Sequence, residues 1–162
     1  MNGRAAGFAV APGLVGGAAL CRPPGGDGAR AAVLLPAGLD PDGLLTQFRG
    51  QFVQIQDAWD RHEMQVLREL MTPEMLAEVC LEVTESSAGS VKMPGSTDIV
   101  VLRCELVGFE TLMRDEVAVV EFSGLIRESE ACGAVPFREL WMLTQSKGAG
   151  AGWRLARHQA LL

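Results

Sequence analysis

The sequence HEMQV, residues 62–66, begins with the pair of residues that opens a zinc-protease motif. That motif places a second histidine four positions after the first, so that two imidazoles on one helix face bind the metal. Val66 stands at that position, and the other histidine of the chain is His158, near the far end. We therefore expect no zinc site, and we interpret Glu63 as the capping-box partner of Asp60 at a helix start.

Other catalytic patterns are equally weak. Ser123 in EFSGL lacks the glycines of a nucleophile elbow, and no GxGxxG or Walker sequence is present, so we expect no catalytic residue and no cofactor. A cysteine dyad would require Cys104 and His158 to lie on neighbouring strands. The favoured interpretation is that they are two unrelated residues of the sheet. No CxxC pair occurs, and Cys80 and Cys104 lie in apolar segments, which predicts buried, reduced thiols.

Two glutamates lie inside otherwise apolar strands, Glu121 in VVEFSG and Glu139 in FRELWM. The favoured interpretation is that both point outward and pair with Arg103, Arg138 or Arg154 across the strands. If one of them instead faced the helices, it would need a buried partner and would become a candidate acid or base.

The composition limits the classes of function. The 162 residues are 48% hydrophobic, enough for one domain with a core. Residues 39–162 hold 11 Lys and Arg against 19 Asp and Glu, a net charge of −8, which disfavours nucleic acid as a partner. Residues 1–38 are rich in Gly, Ala and Pro and are interpreted as a leader or linker, with 5–20 as a weak candidate membrane segment.

Helices are predicted first in the remaining domain, 39–162. Asp40 and Pro41 suit a helix start, and Thr72 and Pro73 suit another. The first helix has an apolar stripe whose last member, Trp59, is expected to be buried against a sheet. The stripe consists of Leu44, Phe48, Phe52, Ile55 and Trp59.

From Thr97 the apolar period becomes alternating, and four segments predict strands. In the first strand, Val100, Leu102, Cys104 and Leu106 are expected to share one face. Helices followed by strands indicate an α+β fold, with N-terminal helices packed on a curved four-stranded antiparallel sheet. Such a half-barrel can enclose an apolar pocket for a small ligand, although core packing alone also explains the aromatic residues. The candidate pocket residues are Phe52, Ile55, Trp59, Leu102, Cys104 and Trp141.

Residues 36–162 resemble the Tim44-like domain family. The resemblance rests on the order of five landmarks, PAGLDPDGLLTQFRGQFVQIQDAWD, TPEMLAEV, VVEFSGLIRE, PFRELWML and GWRLARHQAL, and is strongest to bacterial members. One departure is Arg157-His158 in the last strand, where an uncharged, more apolar pair is usual. We expect this edge either to be more hydrated than usual or to face a partner through these two residues.

The resemblance implies the cone-shaped α+β fold of nuclear transport factor 2 and ketosteroid isomerase. It also implies a non-enzymatic binding module at the inner membrane, peripheral or weakly anchored, that contacts lipid or a membrane protein through an apolar pocket or the sheet. Chaperone tethering by the mitochondrial relative depends on segments outside this domain and is not carried over. The alternatives are a fold-related isomerase or dehydratase that uses a buried Glu, a soluble cytoplasmic protein, and a subunit of an assembly, including a homo-oligomer.

Overall fold

The computed structural model describes residues 33–86, 97–127, 131, 133–148, 150 and 152–161. Within these residues, three helices precede four strands, as predicted. The helices are α1 (Pro41–Asp60), α2 (Met64–Leu70) and α3 (Pro73–Ser86), and the strands are β1 (Asp98–Thr111), β2 (Asp115–Arg127), β3 (Val135–Ser146) and β4 (Arg154–Ala160). The predicted membrane segment, 5–20, lies outside the described residues, as does the predicted leader up to residue 32.

The strands form one antiparallel sheet in the order β1-β2-β3-β4. One row crosses all four strands, because Phe122 lies opposite Cys104 and Glu139, and Glu139 lies opposite Ala160. The helices cover the inner face of this sheet, and the other face is the outer face. The predicted α+β class, with helices on a curved four-stranded antiparallel sheet, is confirmed.

Helix α1 begins and packs as its sequence predicts. The Asp40 carboxylate accepts hydrogen bonds from the backbone amides of Asp42 and Gly43 at 3.2 and 3.1 Å, and Pro41 follows as the first helical residue. Four members of the predicted stripe are buried: Leu44, Phe48, Phe52 and Ile55. Trp59 is only partly buried, so its predicted burial is confirmed in part.

The predicted capping box between α1 and α2 is wrong. Asp60 ends α1, and its carboxylate accepts hydrogen bonds from the backbone amide of Thr97 at 2.7 Å and from its hydroxyl at 3.3 Å. Glu63 is the N-cap of α2 but makes no side-chain capping bond. His62 is exposed and adopts φ +57°, which reverses the chain between the two helices.

Helix α3 starts at the predicted cap, where the backbone amide of Met75 donates to the Thr72 hydroxyl at 3.3 Å. The amide of Thr72 donates to the carbonyl of Leu155 at 2.9 Å, which fastens the α2–α3 junction to β4. Met75 and Val79 are buried, and Cys80 is partly buried rather than buried as predicted. Helices α2 and α3 therefore lie against the β4 edge of the sheet.

An irregularity in β1 changes which residues face inward. Ile99 lies opposite Ile126 and Val101 opposite Leu125, so Val100 is an extra residue in the ladder. Val100 is 48% exposed, and its predicted place on the inner face is wrong. Gly124 makes this close approach possible, since a Cβ there would lie 1.9 Å from the Val101 carbonyl oxygen.

Candidate functional site

The inner face of the sheet is filled by aromatic side chains. The ring of Phe52 lies 4.7 Å from Phe122, 5.6 Å from Phe137 and 4.9 Å from Trp141, measured between centroids. All four residues are at most 3% exposed. These contacts have the spacing of packed aromatic pairs, so the centre of the cone is a core.

The six candidate pocket residues separate into two groups around this core. Phe52, Ile55, Cys104 and Trp141 are buried, whereas Trp59 and Leu102 are partly buried at its margin. The structure thus brings them to the same side of the sheet. Ligand binding by these residues stays a prediction.

A buried polar cluster interrupts the apolar inner face. Glu139 is 0% exposed, and its Oε2 accepts a hydrogen bond from the Trp141 indole nitrogen at 2.8 Å. The Nε2 atom of His158 lies 3.2 Å from the same oxygen. Our expectation that Glu139 points outward to an arginine is therefore wrong. The indole hydrogen bond and the imidazole contact hold the Glu139 side chain inside the core, while its Oε1 atom is buried with no hydrogen-bond partner among the described residues.

The same prediction is confirmed for Glu121. Arg138 Nε and Nη2 donate to its two carboxylate oxygens at 3.0 and 3.2 Å, on the outer face. This hydrogen bond, followed by the charge of Glu121, raises the pKa of Arg138. The centre of the outer face thus contains a bidentate ion pair in which the two charges balance each other.

His158 and Arg157 lie on opposite faces of β4. Arg157 is exposed on the outer face opposite Met142, whereas His158 is buried on the inner face opposite Trp141. Ala156 is an extra residue in this ladder, which shifts the alternation. The prediction that both face a partner is wrong for the His158 side chain, and only Arg157 is accessible to one.

Cys104 does not form a dyad with His158. The two residues are on β1 and β4, the opposite edges of the sheet, which lie three strand spacings or about 14 Å apart, and they are in different rows. Burial raises the pKa of the Cys104 thiol to about 11, with the nearby charge of Arg49 opposing the shift. The thiol is neutral at pH 7 and is a poor nucleophile. Cys104 is a free thiol, and among the described residues no group of three or more His, Cys, Asp or Glu could hold a metal ion.

The outer face of the sheet has an apolar centre. No helix of the described chain covers it, and its middle strands present side chains that are all partly exposed. These side chains are Val117, Val119, Leu125, Leu140 and Met142. At the β1 edge, Val101 and Val107 are 37% and 46% exposed. A contiguous apolar surface of this kind typically marks a site of interaction.

Charges of opposite sign border the two edges of this face. Arg154 and Arg157 lie on β4, and Glu105 and Glu110 lie on β1. The ladders place Arg154, Thr144, Val117 and Glu110 in one row across the sheet. Arg154 and Glu110 are exposed and sit three strand spacings apart, about 14 Å, which is too far for an ion pair within one chain.

The β1–β2 hairpin ends in an exposed apolar tip. Met113 is 94% exposed and Leu112 is 43% exposed. The Lys147 ammonium donates to the Leu112 carbonyl oxygen at 2.6 Å, which ties the tip to the end of β3. Beside it lies an open depression of about 490 Å³, lined by Glu116, Gln145, Ser146, Lys147, Gly148, Gly150 and Gly152. Its lining is polar, so it is not the apolar pocket predicted from the sequence.

The Glu139 cluster was not predicted, although the sequence of β3 indicates the position of Glu139 itself. Phe137, Glu139 and Trp141 alternate along β3, so a carboxylate between two core aromatics had to share their face. His158 gave no such signal, because the extra residue Ala156 breaks the alternation in β4. The apolar outer face was also hidden, since alternation alone does not say which face the helices cover.

No helix within the described ranges is long and apolar enough to cross a membrane. No curated protein and no solved structure matches the chain significantly. Residues 26–160 match the sequence model of the Tim44-like domain, which is most of the chain. Tim44-like domains are generally non-enzymatic and associate with membranes or with other proteins. With its matching order of helices and strands, the chain belongs to the Tim44-like domain family.

Proposed function

We propose that this chain is a non-enzymatic binding module that works at a membrane and docks onto a protein through the outer face of its sheet. The observation that carries the proposal is the contrast between the two faces. The inner face is closed by α1 and packed with aromatic rings, whereas the outer face leaves apolar side chains exposed.

The outer face has the composition of a protein interface. Val119, Leu140 and Met142 form an apolar centre, and the Arg138–Glu121 pair beside them is already neutralised. Charged residues lie at the edges of the face, on β1 and β4. An apolar centre within a polar rim is the usual arrangement of a protein–protein contact.

The acidic body supports a protein partner over direct binding to anionic lipid. A net charge of −8 over residues 39–162 repels an anionic bilayer surface. Lipid bound inside the cone would need the rings around Phe52 to separate, because they lie 4.7 to 5.6 Å from their neighbours. Native mass spectrometry of protein purified gently from membranes tests this alternative, since a retained phospholipid or fatty acid would contradict docking through the sheet alone.

The test of the proposal is a lysine in the centre of the outer face. We expect Val119→Lys to release the protein from its native membranes, because a charge there would be desolvated in the contact. Val53→Lys is the matched control, as Val53 is 45% exposed on α1, away from the sheet's outer face. Membrane flotation compares the two variants with the wild-type chain. Equal retention of both variants would overturn the proposal.

A second candidate function follows from Glu139. A fully buried carboxylate on the inner face is the feature that a fold-related isomerase or dehydratase would use as its base. Oε2 is occupied by Trp141 and His158, however, and the side chain has no solvent-exposed surface. Turnover of a panel of ketosteroid and hydroxyacyl substrates by the wild-type chain but not by Glu139→Gln would establish this candidate and displace the binding module.

A further inference from the structure

We propose that the partner on the outer face is a second copy of this chain, packed sheet against sheet in a symmetric dimer. The inference rests on the proposed use of the outer face and adds the identity of its occupant. Retention at the membrane then depends on pairing, because two joined copies are held more firmly than one. Two observations carry it: the apolar centre of the face and the opposite charges on its two edges.

The charges select one symmetry. A twofold axis parallel to the strands places β1 of one copy over β4 of the other, and β2 over β3. Glu110 of each copy then faces Arg154 of the other, because these residues lie in the same row of the sheet. A twofold axis across the strands would instead set the β4 edge, with Arg154 and Arg157, over its own copy. Electrostatic complementarity therefore favours the first arrangement.

The other charges of the face are compatible with this axis. Arg103 lies in the row of Ser123 and Arg138, where β4 has no paired residue, so it meets no cation of the facing β4. Arg157 lies two rows from Arg154, on the same exposed face of β4, and adds a second cation at that edge. Glu121 enters the contact with its charge matched by Arg138.

The side chains at the centre of the outer face also pair under this twofold axis. The axis brings Met142 of one copy over Val119 of the other, and Thr144 over Val117, twice in the dimer. Met142 over Val119 combines a long and a short side chain, and Thr144 over Val117 combines two short ones, so the two faces can pack at the usual separation of about 10 Å between sheets.

The size of the face suits a dimer. Four strands at about 4.8 Å spacing and ten residues at about 3.3 Å give a flat area of roughly 500–650 Å² per copy. Side-chain relief raises the accessible area above that projection. A stable interface buries about 800 Å² per partner, so the face has the dimensions that a modest, reversible dimer needs.

The experiment is sedimentation equilibrium of the full chain over a range of concentrations, with charge-reversed variants. We expect a monomer–dimer equilibrium for the wild-type chain. Glu110→Arg alone and Arg154→Glu alone should each weaken it about tenfold, because each substitution replaces two attractive contacts by repulsive ones. The double variant should restore the dimer to within about threefold of wild type. Equal thermal unfolding midpoints would show that all three variants are folded.

The outcomes separate this inference from the proposed function. A wild-type chain that stays monomeric, or a double variant no better than the singles, overturns the dimer. If the dimer is overturned but Val119→Lys is released from the membrane, the outer face docks onto a different protein and the proposed function stands. If the charge reversal restores the dimer but Val119→Lys stays on the membrane, the dimer is correct and membrane docking through this face is not.

Discussion

The inner and outer faces of the sheet each have a glutamate near their centre, and the two glutamates have opposite surroundings. Glu139 is enclosed in the core and is held by Trp141 and His158. Glu121 is held by a two-pronged ion pair with Arg138 and keeps 14% of its side chain exposed. The inner face therefore serves the packing of the fold, whereas the outer face is a surface that is accessible to a partner.

The two glutamates should differ strongly in their contribution to the free energy of unfolding. Glu139→Ala should lower the free energy of unfolding by about 3–5 kcal/mol, because it leaves the buried Trp141 indole nitrogen without its acceptor and opens a cavity beside His158. Glu121→Ala, the matched control, should cost no more than about 1 kcal/mol, since Arg138 can turn to solvent. Urea unfolding measures both. Similar losses for the two variants would mean that the faces do not differ in the way described.

Alanine at one glycine of the sheet and at one glycine of α1 should change the free energy of unfolding in opposite directions. Gly124→Ala should cost about 2–3 kcal/mol, because its φ is +154° and the new Cβ would overlap the Val101 carbonyl oxygen. Gly50→Ala, in α1, has nothing within 4 Å of the new Cβ and should stabilise the protein by about 0.5–1 kcal/mol. Thermal unfolding of both variants checks the signs, and a neutral Gly124→Ala would contradict the close approach of β1 and β2.

The buried thiol of the inner face predicts a loss of stability at high pH. The pKa of Cys104 is about 11 in the folded chain, against 9.0 for an unperturbed thiol, so the unfolded state loses its proton first. Its contribution is complete below about pH 9 and declines as pH rises toward 11, by up to about 2–3 kcal/mol. Cys104→Ala should flatten this decline when urea unfolding is followed from pH 8 to 11. An unchanged slope would show that the thiol is not desolvated.

A further comparison concerns the margin of the core. Trp59 is partly buried, so Trp59→Ala should cost about 2 kcal/mol, less than the 3–5 kcal/mol typical of a fully buried aromatic. Phe52→Ala, at the centre of the same helix face, should reach the full range. A larger loss at Trp59 than at Phe52, by urea unfolding, would reverse the order of burial along α1.

The order of elements was predictable because it depends on local chemistry. Asp40, Thr72 and the spacing of apolar residues in α1 each act within a few residues, and the structure confirms them. The capping box at Asp60 failed because a distant residue, Thr97, competes for its carboxylate. Local patterns cannot report a partner that is 37 positions away.

The site was less predictable because extra residues in the strands change the alternation. Val100 and Ala156 each shift a ladder by one position, so Val100 turns outward while His158 turns inward. The pairing of edge charges also depends on register across four strands, as the row from Glu110 to Arg154 shows. Register is a property of the assembled sheet, and a single strand's sequence does not contain it.

Docking through the outer face can be tested by oxidation of methionines with hydroxyl radicals, in native membranes and in dilute purified protein. Met142 lies partly exposed on the outer face, and Met113, 94% exposed at the hairpin tip, reports radical dose in each sample. If the outer face docks onto a partner, Met142 is oxidised in dilute protein and protected in membranes, relative to Met113. Equal relative oxidation of Met142 in both samples would contradict the account.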